Sequence, residues 1–439
     1  MSIAASSPPT AVPKGRIVAA SFIGTAIEFY DFYIYGTAAA LVFGHLFFPT
    51  FSPLAGTLAA FATFGVGFIA RPVGAVVFGH FGDRIGRKTM LIVSLLLMGT
   101  GTVAIGLLPT FETIGVAAPI LLVTCRFLQG FGLGGEWGGA VLLATEYAPQ
   151  GKRGLWSSFP QVGPAVGFVI AGSAFLALGG TMPEESFDSW GWRVPFLASA
   201  LLIIVGYYIR MKIAETPVFE KAMREQEKAK APIVEVFKRQ PKTLLLATCS
   251  FILAHTLFYT ITTFSLSYGT EVLHLGKNML LICAMIAAAV MGIATPVLAM
   301  YSDRVGRRRV CLGAAILAIA WAFPLFALIN TKQPVLIAIG MSVGMIAFAA
   351  LFAPMGAFLF LPELFATRYR YTGSSVAYNA SSIVGGGLSP ILATQLIAWT
   401  GSSLPISAYV VLIAVICAVC VWFMRETRDA DLTVEPTER

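Results

Sequence analysis

The chain is built from long apolar runs, each of about 20 residues, that recur from one end to the other. A run of about 20 residues is long enough to cross the hydrocarbon core of a bilayer as an α-helix. Only 12% of the residues are charged, against about 25% in an ordinary soluble domain. A membrane β-barrel would instead show alternating segments of roughly ten residues. The sequence therefore predicts an all-α, polytopic membrane protein, and excludes a soluble enzyme, a DNA-binding module and a disordered scaffold.

The number and direction of the spans follow from the basic residues between them. Lys and Arg concentrate in alternate loops, which the positive-inside rule places in the cytoplasm. Both termini fall on that side, so the number of spans is even, and twelve fits the length. The predicted spans cover about 17–40, 57–79, 89–108, 117–143, 155–179, 193–211, 242–269, 278–300, 310–329, 335–361, 371–399 and 405–424.

A repeated motif indicates that the chain is a duplication. Gly82–Lys88 reads GDRIGRK and Ser302–Arg308 reads SDRVGRR, about half a chain length apart. We therefore expect two pseudo-symmetric six-helix bundles, with a substrate site between them near the midplane and alternating access by rocking. The predicted units are a cytoplasmic tail (1–16), the first bundle (17–211), a cytoplasmic linker (212–241), the second bundle (242–424) and a cytoplasmic tail (425–439).

The repeated loops are candidates for gates. Gly86 and Gly306 would permit a tight turn with positive φ. Asp83 and Asp303 would meet the N-terminus of a helix in the opposite half, or an arginine, and latch one face of the protein shut. Topology anchoring by positive charge alone is the alternative. The candidate gating residues are Asp83, Arg84, Arg87, Asp303, Arg304 and Arg307, a second echoed set of Glu146, Arg153, Glu363 and Arg370, and Arg71.

Several motifs together resemble one transporter family. Two segments, Gly79–Lys88 and Arg126–Glu136, resemble signatures of the major facilitator superfamily. Five others are similar to the bacterial metabolite:proton symporter family within it, whose members carry shikimate, α-ketoglutarate, citrate, or proline with glycine betaine. These five are Gly24–Gly36 (GTAIEFYDFYIYG), Ala70–Gly74, Gly134–Ala140, Trp190–Phe196 and Leu361–Gly373. The resemblance covers nearly the whole chain. It implies twelve helices, a bacterial inner-membrane location and proton-coupled uptake, but it does not identify the substrate.

Five ionisable residues lie inside predicted spans: Glu28, Asp31, Arg71, Arg126 and Glu136. Each would cost about 2.5–3.5 kcal/mol if it faced lipid, so we expect them to face the bundle interior. Glu28 and Asp31 share one helical face, and a carboxyl there would carry the proton. We therefore predict proton coupling through Asp31, Glu28 and Glu136.

The position of Arg126 suggests how proton and substrate are coupled. Arg126 is expected at the level of Asp31 and would pair with it when the site is empty. A substrate carboxylate would take Arg126 bidentately while a proton neutralises Asp31, so that each event favours the other. A permanent ion pair that only joins two helices is the alternative. Arg71 and Glu136 would form a second pair, either static or gating, and the glycines around Gly130 and Gly134 would allow close helix packing.

The remaining candidate substrate residues are polar or aromatic. Those in the first half are Gln129, Tyr30, Tyr33, Trp137 and Gln161, and those in the second half are His255, Tyr259, Tyr378 and Asn379. Packing in the core or at the membrane interface is the alternative for the aromatic residues and for His255. The second half would then shape specificity, while the first half handles charge.

These observations predict a secondary active transporter that takes up a small organic carboxylate or zwitterionic, betaine-like metabolite together with protons. No Walker A pattern points to ATP as the driver. We expect no cofactor, no metal, no enzymatic activity and no nucleic-acid partner, and a monomer embedded in the lipid bilayer. A proton-coupled antiporter that exports small molecules, or a sensor without transport, is the alternative.

Overall fold

The computed structural model describes residues 14–85, 87–134, 153–212, 232–356, 364–365 and 370–427, and these residues contain helices but no strand. The helices of the first half are α1 (Lys14–Leu41), α2 (Phe43–Phe47), α3 (Pro53–Ile85), α4 (Arg87–Leu107), α5 (Phe111–Ile114), α6 (Ala117–Gly134), α7 (Arg153–Thr181), α8 (Glu184–Ser186) and α9 (Arg193–Lys212). A π-helical turn at Phe187–Gly191 joins α8 to α9.

The second half begins with a short amphipathic helix and continues with long apolar ones. Its helices are α10 (Pro232–Arg239), α11 (Pro241–Tyr259), α12 (Lys277–Val305), α13 (Arg307–Asn330), α14 (Pro334–Gly356), α15 (Arg370–Ser382), α16 (Ser389–Thr400) and α17 (Leu404–Phe423). Helix α11 runs on without a break through Val272, and α15 continues into α16 as one helix, Thr372–Thr400.

The all-helical membrane architecture is confirmed. Nine helices of the described part of the chain are long and apolar enough to cross a bilayer, or ten if the bent pair Glu184–Gly191 and Arg193–Ile209 counts as one span. The total of twelve spans, the cytoplasmic termini and the bundle boundaries stay predictions.

The two halves meet along several pairs of helical segments. Helix α7 packs along α12, α3 packs against the π-helical turn Ile383–Leu388, and α1 packs against the segment that follows Tyr259. At the α3 contact, Gly387 lies so close to Gly65 that a Cβ atom on Gly387 would be 3.4 Å from the Gly65 Cα. The backbones of the two halves are therefore in close contact at this point.

Glycines bring α3 and α6 into backbone contact inside the first half. A Cβ atom on Gly130 would lie 2.1 Å from the Gly67 carbonyl oxygen, and one on Gly134 would lie 2.0 Å from the Arg71 carbonyl oxygen. Any larger side chain would push the helices apart, which confirms that these two glycines serve packing. The close approach sets Arg71 and Arg126, on facing helices, side by side.

Helices that border the interface contain π-helical turns. They occur at Thr260–Phe264 and Tyr268–Val272 in the α11 span, and at Ile383–Leu388 between α15 and α16. Such turns often occur at functional sites, because one extra residue redirects the side chains that follow. The last of them contains Gly385, Gly386 and Gly387, all buried.

Candidate functional site

A narrow cavity lies at the centre of the molecule, between the two halves. Its volume of about 20 Å³ leaves room for about one water molecule. Residues from α1 and α7 form one wall, and residues from α11, α14 and α15 form the other. The lining residues are Phe29, Tyr33, Pro164, Phe251, Ala254, His255, Phe258, Tyr259, Phe348, Phe352 and Tyr378. This position, between the halves, is where the sequence predicts the substrate site.

Asp31 is completely buried in α1, and its carboxylate contacts a hydroxyl rather than a cation. Its Oδ1 atom accepts a hydrogen bond of 2.5 Å from the Ser199 hydroxyl on α9. Its Oδ2 atom is buried without a hydrogen-bond partner among the described residues. An ionised carboxylate in this environment lacks the pairing that usually compensates burial.

Arg126 is also completely buried, and aromatic rings surround its guanidinium group. The Cζ atom lies 4.1 Å from the ring centre of Phe32, 4.3 Å from that of Tyr35 and 4.8 Å from that of Phe64. The faces of aromatic rings attract cations, so this enclosure partly replaces water. The edge formed by Nε and Nη2 faces α3, where a Cβ atom on Gly67 would lie 2.5 Å from Nε.

Gln129 connects the two charged residues. Its Oε1 atom accepts a hydrogen bond from Nη1 of Arg126. Its amide nitrogen donates to the backbone carbonyl of Asp31 at 2.9 Å and to the Thr102 hydroxyl at 2.8 Å. The side chain therefore ties α6 to α1 and α4 at the level of the buried charges.

The direct ion pair between Asp31 and Arg126, both of which the structure describes, is not formed, and that prediction is wrong for this conformation. Ring faces and Gln129 hold the guanidinium, while Ser199 holds the carboxylate. Gln129 contacts both residues, so it forms the link between them that the sequence predicted as a direct ion pair.

Arg71 is the second buried cation, 2% exposed, on α3. Its Cζ atom lies 4.2 Å from the ring centre of Phe32 and 4.8 Å from that of Phe68. Its Nε and Nη2 atoms are buried without a hydrogen-bond partner in the described part of the chain. The Phe32 ring thus contacts two guanidinium groups, those of Arg71 and Arg126.

Arg71 lies one aromatic ring away from the cavity, because the Phe68 ring that carries its guanidinium group lies 5.1 Å from the ring of Tyr259. Tyr259 lines the cavity together with Tyr33, Tyr378 and His255. The His255 ring stacks edge-on to Tyr378 at 5.0 Å, with Nδ1 3.4 Å from the Ser381 hydroxyl. The sequence analysis predicts a gating role for Arg71, and it does not predict that Arg71 lies behind the wall of the cavity.

The other predicted substrate residues take different positions. The Tyr30 hydroxyl donates to the Pro195 carbonyl at 2.9 Å and joins α1 to α9. The Asn379 amide donates to the Ser375 carbonyl of its own helix at 2.9 Å. Gln161 is buried in α7, and Glu28 is buried on α1 one turn before Asp31. The predicted residues that line the cavity are therefore Tyr33, His255, Tyr259 and Tyr378.

Phenylalanines form much of the cavity wall, and the sequence did not single them out. Phe251, Phe258, Phe348 and Phe352 project from α11 and α14, and Phe29 projects from α1. The chain contains 33 phenylalanines, most of which pack in cores or face lipid, so no sequence signal distinguishes these five. Their position follows only from the rotation of each helix about its axis.

Part of the predicted site lies outside the described residues. Glu136, Trp137, Glu146 and Glu363 belong to segments that are not described. Asp83, Arg84, Arg87, Arg153 and Arg370 lie in or next to described helices, but their side chains are not described.

Asp303 connects the two halves at one end of α12. Its Oδ2 atom accepts a hydrogen bond of 3.0 Å from the backbone N–H of Gly154, in the first turn of α7. Its Oδ1 atom accepts one of 2.7 Å from Nη1 of Arg307. The predicted contact of Asp303 with a helix N-terminus in the opposite half is confirmed, and we name the contact with Gly154 the Asp303 latch. Gly306 has a φ of 109°, which confirms the predicted turn.

At the other end of α12 the halves are joined again. The Thr57 hydroxyl donates to the Glu271 carboxylate at 2.7 Å, and Lys277 forms an ion pair of 2.9 Å with Glu184. Helix α12 has 29 residues, so the two ends lie about 43 Å apart. Contacts between the halves at both ends, around a cavity of about 20 Å³, describe an occluded conformation. No local motif marks Thr57 or Glu271, so sequence reasoning missed them.

Among the described residues, no group of three or more His, Cys, Asp or Glu side chains is placed to hold a metal ion.

Comparison with known proteins places these features in context. A model of the Major Facilitator Superfamily matches residues 21–383. The Escherichia coli inner membrane metabolite transport protein YhjE is 44% identical over 95% of this chain and 96% of its own length. The Escherichia coli shikimate transporter is 39% identical over 94% and 95%, and the Salmonella typhimurium proline/betaine transporter is 34% identical over 96% and 86%.

Solved structures support the same fold. The Escherichia coli xylose transporter XylE, in a partially occluded inward-open conformation, superposes with a TM-score of 0.74 over 95% of this chain and 99% of that one. The identity is 17%, so the likeness concerns the fold alone.

Proposed function

Because the chain belongs to the Major Facilitator Superfamily and is a metabolite transporter, we propose that it is a proton symporter for a small organic carboxylate or zwitterionic metabolite. It works in the bacterial inner membrane as a monomer, with both termini in the cytoplasm. The names of two relatives support a carboxylate as the substrate. Shikimate, proline and betaine, which these names contain, each carry a carboxylate group.

The observation that carries the proposal is the buried network Asp31–Gln129–Arg126. An ionised Asp31 with no cation contact costs free energy in a membrane interior, and a proton on the free Oδ2 atom removes that cost. The carboxyl therefore binds a proton in the occluded state and releases it when water reaches α1. Glu28, one turn away on the same helix, raises the cost of ionising both groups together.

Gln129 supplies the coupling between proton and cargo. Its amide holds the Arg126 guanidinium on one side and the Asp31 backbone on the other. A change in charge at Asp31 alters the position of α1 relative to α6, and hence of the Phe32 and Tyr33 side chains beside the cavity. Proton binding and substrate binding then favour the same conformation, which is a coupling free energy of the kind that drives symport.

Alternating access follows from the contacts at the two ends of α12. The Asp303 latch closes the face that carries the termini, and the Thr57–Glu271 contact closes the opposite face. Release of one set while the other holds opens the cavity to one side at a time.

Uptake into proteoliposomes tests the proposal. Shikimate, proline and glycine betaine are offered with the outside acidic, the outside alkaline, or no pH gradient. We expect an inward proton gradient to drive accumulation of one of them. Accumulation that ignores the gradient, or efflux driven by inward protons, would overturn symport, and efflux would establish antiport.

Asp31→Asn provides the second arm of the same experiment. The neutral amide cannot exchange a proton, so accumulation should be lost while exchange of labelled for unlabelled substrate continues. Glu112→Gln is the matched control, since Glu112 is an exposed carboxylate of α5 and should leave both activities unchanged. If Asp31→Asn still accumulates substrate against its gradient, Asp31 is not the proton carrier.

A further inference from the structure

We propose that Arg71, rather than Arg126, binds the carboxylate of the cargo, and that the site takes a monocarboxylate with a compact apolar or cyclic body. This inference rests on the proposed function and adds the residue that receives the anion. It departs from the sequence hypothesis, in which Arg126 binds substrate and Arg71 forms a gate.

The hydrogen-bonding state of Arg71 is the first argument. The residue is 2% exposed, yet its Nε and Nη2 atoms have no partner among the described residues. These two nitrogens form one edge of the guanidinium, with two N–H groups parallel to each other. A carboxylate fits that edge with two parallel hydrogen bonds. Buried donors that lack partners cost free energy, and an anionic ligand at this edge would recover it.

The enclosure of Arg126 is the second argument. Its Nη1 atom is occupied by Gln129, and its Nε–Nη2 edge, which also lacks a hydrogen-bond partner among the described residues, faces the α3 backbone at Gly67. Rings of Phe32, Tyr35 and Phe64 cover the guanidinium within 4.8 Å. A substrate would have to displace a helix to reach that edge. Arg126 is therefore suited to hold Asp31 in place through Gln129, and not to receive cargo.

The surroundings of Arg71 are the third argument. The residue lies one aromatic ring away from the central cavity, which Tyr33, Tyr259, Tyr378 and His255 line. Tyr259 lies beside Phe68, at 5.1 Å between ring centres, and Phe68 carries the Arg71 guanidinium on its face. A carboxylate that enters between the halves thus meets Arg71 as soon as the Tyr259 ring moves aside.

The rest of the cavity determines the body of the cargo. Its wall is formed mostly by aromatic rings and includes Phe251, Phe258, Phe348 and Phe352. These rings bind an apolar or cyclic body, and the tyrosine hydroxyls and His255 provide a few hydrogen-bonding groups near Arg71. With Arg126 enclosed, one guanidinium edge beside the cavity remains for anions among the described residues, so a second carboxylate would be buried unpaired. We therefore expect dicarboxylates to be rejected.

The test measures substrate exchange without a proton gradient. Wild-type protein, Arg71→Gln and Arg71→Lys are reconstituted, and the KM is measured for the monocarboxylate that the wild type exchanges best among shikimate, proline and glycine betaine. We expect Arg71→Gln to raise that KM at least roughly 30-fold, the cost of removing one partner of a buried charge pair. Arg71→Lys should raise it less, because the charge stays but the planar edge is lost.

Two controls make the result specific. Arg193→Gln removes another arginine that stacks on a ring, that of Trp192, and that donates hydrogen bonds to the backbone carbonyls of Gly106 and Leu108 at the end of α4, so the KM should stay unchanged. The methyl ester of the same substrate should compete for exchange equally weakly in wild type and Arg71→Gln. An unchanged KM in Arg71→Gln would overturn the assignment. So would a result in which Arg71→Gln weakens competition by the ester as much as it weakens binding of the acid.

A measurement on the wild-type protein covers the case in which Arg71→Gln does not fold. Phenylglyoxal modifies accessible arginines, and mass spectrometry reports each position separately. Saturating substrate should slow modification of Arg71 and leave Arg239, an exposed arginine of α10, unaffected. Equal modification of Arg71 with and without substrate would overturn the proposal. If the wild type exchanges no carboxylate at all, the proposed function itself fails, which separates that failure from an unchanged KM in Arg71→Gln.

Discussion

Replacing Asp303 with Ala should shift the protein towards conformations in which the face beside Gly154 is open. The latch is a single charge-assisted hydrogen bond of 3.0 Å at the N-terminus of α7. A partly buried contact of this type contributes about 1.5–2 kcal/mol, the lower end of the range for hydrogen bonds to charged groups. The ratio of open to closed molecules should therefore rise roughly 12- to 30-fold.

A matched control exists on the same face. Glu426 caps the N-terminus of α13, with its carboxylate accepting hydrogen bonds from the backbone N–H groups of Arg307 at 2.9 Å and Arg308 at 3.1 Å. Both partners of this contact belong to the second half. Glu426→Ala should therefore remove a similar interaction and lower thermal stability, without changing the ratio of open to closed molecules.

Distances between spin labels measure the ratio. One label near the start of α7 and one near the end of α12, in a background without the six native cysteines, report separation of the halves. Gly154→Ala should act in the same direction as Asp303→Ala, since its Cβ atom would lie 2.4 Å from Oδ2 of Asp303. A distance distribution for Asp303→Ala equal to that of the wild type, or an equal shift in Glu426→Ala, would refute the latch.

Three further predictions follow from the buried network and the opposite face. Gln129→Leu should destabilise the protein by about 1–3 kcal/mol, because it removes the partner of buried Arg126 groups, and thermal unfolding in detergent measures this. Gly67→Ala should lower the melting temperature as well, since its Cβ atom would lie 2.5 Å from the Arg126 Nε; unchanged melting would show that the guanidinium moves freely. The Lys277 ammonium, by its hydrogen bond and its charge, lowers the pKa of Glu184. The stabilisation from this pair is present above the ordinary Glu pKa of about 4.3 and is lost as the pH falls through the lowered pKa. Glu184→Gln should therefore lower the melting temperature at pH 7, and this effect should disappear as the pH falls through the lowered pKa.

The parts of the fold that could be predicted are those that local patterns determine. Apolar runs predict helices because every backbone group must be satisfied within the bilayer. The repeated Asp-Arg-x-Gly motif predicted both the turn at Gly306 and the contact of Asp303 with an opposing helix. In each case the residue type and its position at a helix end carry the information.

The parts that could not be predicted depend on how helices rotate against one another. Gln129 and Asp31 are 98 residues apart, and their contact requires α6 to face α1 at one particular rotation. The same holds for Thr57 and Glu271, which are 214 residues apart. Arg71 was assigned to a gate from its charge and depth alone, and only the packing of α3 against Gly386 and Tyr259 reveals its place beside the cavity.

All three charges that surround Phe32 and Gln129 come from one half of the chain, while the other half contributes mainly rings and a histidine to the cavity. Evolution can therefore vary the two halves separately. Changes in α11, α14 and α15 of a duplicated gene would alter one wall of the cavity and leave the buried charges of α1, α3 and α6 in place. Chimeras that join the first half of this protein to the second half of a relative would show whether cargo preference is inherited in this modular way.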